Sequence, residues 1–300
     1  MTRKNPLLQH SLAAIGAVTA LATATLAIGA PAHAATVRPS ATAPFNYVAM
    51  GDSYSAGSGL LPLSPGVNPL CLQSTLNYAH LIASSQKYNL KDVTCGGADT
   101  SNFTSAQYPI VTPPQLNALS SSTQLVTMTI GGNDSDVFLD TILECGSAGI
   151  ATLGTGDPCK TLYGSKFVDT INTSTYPNVV KALQEVRAKA PNARIAIGGY
   201  PRILPASGSG CFPQMPIASG DLAYVNDIET ALNSAIQRAA AKVGVTYVDM
   251  TGVSTGHDAC QAVGTRWVEP ALFATQFVPV HPNALGEQAY ARAFEAALGL

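Results

Sequence analysis

Ser53 sits in the run Gly51-Asp52-Ser53-Tyr54-Ser55-Ala56-Gly57, directly after the short apolar segment Phe45 to Met50. A serine on a tight turn at the carboxyl end of a strand projects its hydroxyl into the crevice beyond the sheet, where a histidine can take its proton. That is the position of a nucleophile, although a Gly-Asp-Ser turn is common in itself. It is not the α/β-hydrolase elbow, which needs Gly two residues before and two after the nucleophile, because position 55 is Ser. Cys95-Gly96-Gly97-Ala98-Asp99 offers a glycine whose backbone N–H can approach a ligand closely, and in isolation reads as a turn. Thr129-Ile130-Gly131-Gly132-Asn133-Asp134 ends another apolar run. Its Asn amide can donate to a developing oxyanion, a contribution of about 10² to 10³ in rate. Capping of the next helix by Asn133 or Asp134 is the alternative.

The base must be a histidine, and five are available. His10 and His33 fall in an N-terminal segment of a different character. His80 lies inside a helical pattern and His257 in a Gly- and Ser-rich loop beside Cys260. His281 stands in Phe277-Val278-Pro279-Val280-His281-Pro282-Asn283, where Pro282 biases it away from helical geometry and keeps it on a loop ahead of the last helix. Of the three histidines beyond that N-terminal segment, His281 is the best base.

These segments need a scaffold that gathers them. Short β-branched runs at Phe45 to Met50, Asp92 to Cys95, Leu125 to Ile130, Arg194 to Gly198 and Val245 to Met250 read as buried strands. Helical patterns separate or follow them: Leu76 to Ser84, Val137 to Glu144, Val179 to Ala190, Leu222 to Val243 and Glu287 to Leu298. Alternating strands and helices predict an α/β fold with a central parallel sheet and helices on both faces, with ligands bound beyond the strands' carboxyl ends. Asp221 is the predicted N-cap of the helix from Leu222. Leu60 to Asn77 and Ser147 to Asn178, rich in Gly, Pro, Ser and Thr, read as loops around the site mouth.

Residues 1–34 combine Arg3 and Lys4, an uncharged apolar stretch and a terminal Ala32-His33-Ala34, which together read as a cleaved signal peptide. Residues 35–44 read as a flexible lead and 45–300 as a single domain. Export and no stable membrane anchor after cleavage are the corresponding expectations. The formal net charge of -2 and 11% charged residues lack the electropositive footprint of nucleic-acid binding. All six cysteines, Cys71, Cys95, Cys145, Cys159, Cys211 and Cys260, lie beyond the signal segment. In an exported protein an even count favours disulfides, with fifteen possible connectivities. Metal ligation is the weaker reading, because no C-x-x-C occurs. No metal and no cofactor are expected.

Taken together and in this order, GDSYS, CGGAD, GGND and VHPN resemble the four blocks of the SGNH, or GDSL, hydrolase family, most closely its secreted bacterial esterase and lipase branch. The resemblance implies a three-layer flavodoxin-like fold and hydrolysis of a small-molecule or lipid ester through an acyl-enzyme, by a chain expected to be monomeric. It implies Ser53 as nucleophile, His281 as base, and an oxyanion hole made by the N–H groups of Ser53 and Gly97 with the Asn133 side chain. It also implies cysteines paired in sequence order. One position departs from the pattern: the family's Asp three residues before the histidine is here Val278. The Val278 main-chain carbonyl is the expected substitute in a Ser-His dyad, with Asp258 or Asp249 as the alternative that would complete a triad. A carbohydrate O-deacetylase, a phospholipase A, or an inactive extracellular lipid- or glycan-binding module are the other readings.

Overall fold

The computed structural model describes residues 45–300. The expected signal segment, 1–34, and lead, 35–44, lie outside the described residues. Strands β1 (Asn46–Gly51), β2 (Asn89–Asp92), β3 (Leu125–Thr129), β4 (Arg194–Gly198) and β5 (Thr246–Val248) form one parallel sheet in the order β2-β1-β3-β4-β5. The helices are α1 (Ser53–Ala56), α2 (Tyr78–Gln86), α3 (Val137–Ala151), α4 (Pro158–Tyr163), α5 (Lys166–Thr170), α6 (Tyr176–Lys189), α7 (Leu222–Val243), α8 (Met250–Val253) and α9 (Ala284–Leu298).

The chain steps one way from β1 to β2 and the opposite way from β3 through β4 to β5. Right-handed crossovers then put α2 on one face of the sheet and α6 and α7 on the other. α9 joins α2: the Tyr78 N–H donates to Glu287 Oε2 at 2.7 Å, and the rings of Tyr78 and Phe294 stack at 4.6 Å. β1 and β3 are buried almost throughout, which explains their mostly apolar sequences, and the buried Thr127 and Thr129 hydroxyls are hydrogen-bonded to Tyr47 and Asp52. The reversal of strand order beside β1 makes a topological switch point, and Ser53 stands two residues beyond that strand.

Four of the five predicted strands lie within about two residues of the observed ones. β2 is displaced, spanning Asn89–Asp92 rather than Asp92 to Cys95. It is an edge strand with alternating exposure, so its polar Asn-Leu-Lys-Asp sequence carries no apolar run. The apolar residues after it still follow β1, with Val93 N–H donating to the Ala49 carbonyl and Cys95 N–H to that of Gly51. Most of the predicted loop from Ser147 to Asn178 is helical, running through the end of α3, α4, α5, a π turn at Ile171–Thr175 and the start of α6. Its Ser, Thr and Asn residues read as loop formers, yet Thr170, Asn172 and Thr173 bond to carbonyls four residues back within the helix. Asp221 precedes α7 but caps another helix, its carboxylate accepting from the Cys159 and Lys160 N–H groups at the start of α4. The disulfides Cys71–Cys95, Cys145–Cys159 and Cys211–Cys260 follow sequence order.

Candidate active site

Ser53 opens α1, a single turn that Asp52 caps through its Oδ1 and the Tyr54 N–H. His281 stands on the turn before α9, whose N-cap is Asn283. Although 228 residues apart in sequence, they meet with His281 Nε2 2.8 Å from Ser53 Oγ. The other ring nitrogen, Nδ1, lies 2.8 Å from the Pro279 carbonyl oxygen. With Nδ1 protonated, Nε2 is free to accept from the serine hydroxyl. The Val278 carbonyl therefore does not orient the ring, contrary to expectation, and accepts instead from Gln276 Nε2 at 3.2 Å. The cause is Val280, whose φ of 55° tightens the turn and folds the nearer carbonyl back toward the imidazole. The carboxylates of Asp258 and Asp249 are engaged elsewhere, with the Cys260 N–H and the Thr251 N–H.

The segments that carry the expected oxyanion donors are tied to one another by side-chain hydrogen bonds. Gly97 adopts φ +74°, a conformation that a Cβ would strain, although the nearest atom to such a Cβ is Gln107 Nε2 at 3.7 Å. Asn133 does not cap the following helix; its Nδ2 donates to the Ala98 carbonyl at 2.9 Å, which turns the amide toward the Gly97 loop. Asp134 completes that link by accepting from the Thr100 N–H and hydroxyl. Asp52 is buried, and besides its cap it accepts from the hydroxyls of Thr129 and Tyr200. Burial pushes the Asp52 carboxyl up to about 6 despite these bonds. The Tyr200 oxygen in turn accepts from the Gly132 N–H at 2.9 Å, so one side chain joins the serine turn to the asparagine turn.

Several contributors lie outside the four sequence blocks. Tyr200 stands two residues beyond the end of β4, where inspecting the residues after each strand end finds it. Arg266 and Glu269 form a buried bidentate ion pair beneath the histidine turn, and Glu269 also accepts from Asn283 Nδ2 and the Thr275 N–H. Burial alone would raise Glu269, but the bonds from Arg266, Asn283 and Thr275 hold its carboxyl down to about 2. Nothing in the local sequence points to these two residues. Around the imidazole, Tyr54 lies 5.1 Å and Phe138 6.0 Å away between ring centroids. Among the described residues no group of three or more His, Cys, Asp or Glu side chains could hold a metal ion.

A parallel α/β sheet with a Ser and a His meeting beyond its switch point defines the architecture of the SGNH hydrolases. A model of the GDSL-like lipase/acylhydrolase family matches residues 49–289, and the chain belongs to that family. It is an esterase or lipase in the broad sense, a hydrolase of carboxylic esters. The chain is 54% identical over 286 residues to Lipase 2 of Streptomyces coelicolor, covering 94% of this chain and 96% of that protein. It is also similar in structure to phospholipase A1 from Streptomyces albidoflavus, with a TM-score of 0.70 and 28% identity over 85% of this chain and 100% of the other. The extracellular lipase of Streptomyces rimosus gives a TM-score of 0.69 and 26% identity, covering 84% of this chain and 99% of that one.

Proposed function

We propose that the protein is an exported serine esterase or lipase that works through an acyl-enzyme on Ser53, with His281 as base in a Ser-His dyad. The observation that carries this reading is the pair of contacts at His281, with Nε2 on the Ser53 hydroxyl and Nδ1 on the Pro279 carbonyl. Ser53 Oγ bonds to the ester carbonyl carbon as its proton passes to Nε2. The carbonyl oxygen, now negative, is held by the N–H groups of Ser53 and Gly97 and by Asn133. Collapse breaks the bond to the alcohol, which leaves with the proton from Nε2, and water repeats the sequence to release the acid. In place of a carboxylate, the Pro279 carbonyl stabilises the imidazolium, a hydrogen bond from a charged donor worth about 1.5 to 3 kcal/mol.

An apolar crevice between α3 and α7, lined by Val137, Phe138, Ile142, Val225, Ile228 and Leu232, adjoins the aromatic wall of the site. It supports an acyl chain on that side over a sugar. Three disulfides favour export, as does the similarity to an extracellular lipase of Streptomyces rimosus; no helix among the described residues is long and apolar enough to cross a membrane. The similarity to a phospholipase A1 makes a phospholipid ester the second reading. A panel of p-nitrophenyl esters from acetate to palmitate, acetylated glycans and phospholipids, combined with fluorophosphonate labelling, tests both. Turnover of acyl esters with label on Ser53 is expected. Absence of turnover and of label would return the chain to a binding role, and preference for acetylated glycans would make it a deacetylase.

The acid limb of the pH profile follows from the ring's surroundings. Burial lowers the His281 imidazole from its ordinary 6.5 to about 4, while the Pro279 hydrogen bond acts in the opposite sense. A base must be neutral to accept a proton, so a lowered value extends activity downward in pH. The profile of kcat/KM is expected to hold well below 6.5 and to fall only as pH approaches about 4. A half-point at or above the ordinary imidazole value contradicts the desolvation of the ring by the residues packed around it.

A further inference from the structure

Tyr54 neighbours the proposed nucleophile in sequence, yet its hydroxyl reaches across 226 residues to donate to the Val280 carbonyl at 2.7 Å, in a buried bond. Val280 is the residue between Pro279, whose carbonyl meets Nδ1, and His281 itself. It is β-branched and holds φ 55°, a left-handed conformation that such residues rarely adopt. Something must hold that turn. The Val280 N–H donates to the Glu269 carbonyl and the His281 carbonyl accepts from the Glu269 N–H, which pins the turn on one side. The Tyr54 hydroxyl pins the Val280 carbonyl on the other, while its ring packs against the imidazole and against Phe138 and Tyr200.

We propose that Tyr54 is a positioning residue: its hydroxyl straps Val280 in the left-handed conformation that aims the Pro279 carbonyl at His281 Nδ1, and so selects the tautomer whose Nε2 can accept from Ser53. The proposal rests on reading Ser53 and His281 as the working pair. Where a carboxylate would orient the histidine directly, this chain uses a backbone carbonyl, and a backbone carbonyl points only where its torsions send it. The strap supplies that direction from the nucleophile's own turn, so the two reacting groups are held by one side chain.

Tyr54→Phe keeps the ring and removes the strap. The expected result is a fall in kcat of about 10- to 100-fold, the range that small misplacements of a reacting group produce, with KM within about twofold. In ¹⁵N spectra of histidine-labelled protein, His281 should shift from predominantly Nδ1-protonated toward a mixture of tautomers. Val280→Gly in the Tyr54→Phe background should restore most of the lost kcat, because glycine takes φ 55° without strain. Tyr47→Phe, which removes a comparable buried hydroxyl bond to Thr127 away from the site, should lower the melting temperature and leave kcat unchanged. A Tyr54→Phe enzyme with kcat within twofold of the parent and an unshifted tautomer overturns the proposal. So does a loss of kcat that Val280→Gly cannot restore. If Tyr54→Phe alone does not fold, the double variant decides: folding with Nδ1 protonated supports the strap, and failure to fold overturns it. The tautomer is read without substrate, so its outcome is separate from whether the parent chain hydrolyses the ester panel.

Discussion

Ser53→Ala is expected to reduce the hydrolysis of a short p-nitrophenyl ester by at least about 10⁴-fold, and His281→Ala by a similar factor, with the double variant no worse than either alone. The reason is that a nucleophile and its base act as a unit, so removing one leaves the other nothing to do. Here the unit is a single hydrogen bond of 2.8 Å, with a backbone carbonyl rather than a carboxylate behind the ring. Residual activity in both variants should match, because it comes from oxyanion donors and substrate binding that neither change touches. Single-turnover assays after active-site titration measure this directly. Additive losses, or turnover retained in Ser53→Ala, would remove Ser53 and His281 from the reaction.

Asn133→Ala should lower kcat by about 10² to 10³-fold and leave KM nearly unchanged, since the donor serves a charge that exists only in the transition state. The side chain is held by its bond to the Ala98 carbonyl, so in the proposed oxyanion hole the amide would donate without reorganisation. Loss of that bond also loosens the Gly97 loop, but Asp134 still ties the two segments through Thr100, which confines the effect to the missing donor. An alkylboronic acid, which binds serine as a tetrahedral anion, should weaken in proportion to the fall in kcat. An unchanged inhibition constant beside a large loss of kcat would mean that Asn133 acts on some other step.

Much of this arrangement is legible along the chain because it is local. Ser53, Gly97 and Asn133 each follow an apolar run by a few residues, and in a parallel sheet every such run delivers its successor to the same rim. Few histidines were available, and His281 alone preceded a helix on a constrained loop. The polar stretch from Ser147 to Asn178 misled for a physical reason. Thr and Asn side chains can satisfy loop backbones or bond back within a helix, and only packing against neighbours decides which. Asp221 misled likewise, because a carboxylate beside one helix can cap another that folding brings closer.

The apolar runs and turn glycines are sufficient to define a parallel α/β fold and the residues at its strand ends, and the order of the GDSYS, CGGAD, GGND and VHPN blocks carries the hydrolase resemblance. What the sequence could not decide is which carbonyl holds the imidazole, which tautomer results, and how far burial lowers its affinity for a proton. Those depend on the left-handed torsion of Val280, on a tyrosine hydroxyl 226 residues away and on the buried Arg266-Glu269 pair beneath the turn. The tyrosine bond joins segments distant in sequence, and the ion pair, only three residues apart, reaches the turn through the Glu269 backbone. A carboxylate three residues before the histidine would have been readable as a letter in the chain; a backbone carbonyl is present at every position, and only the tertiary structure selects Pro279.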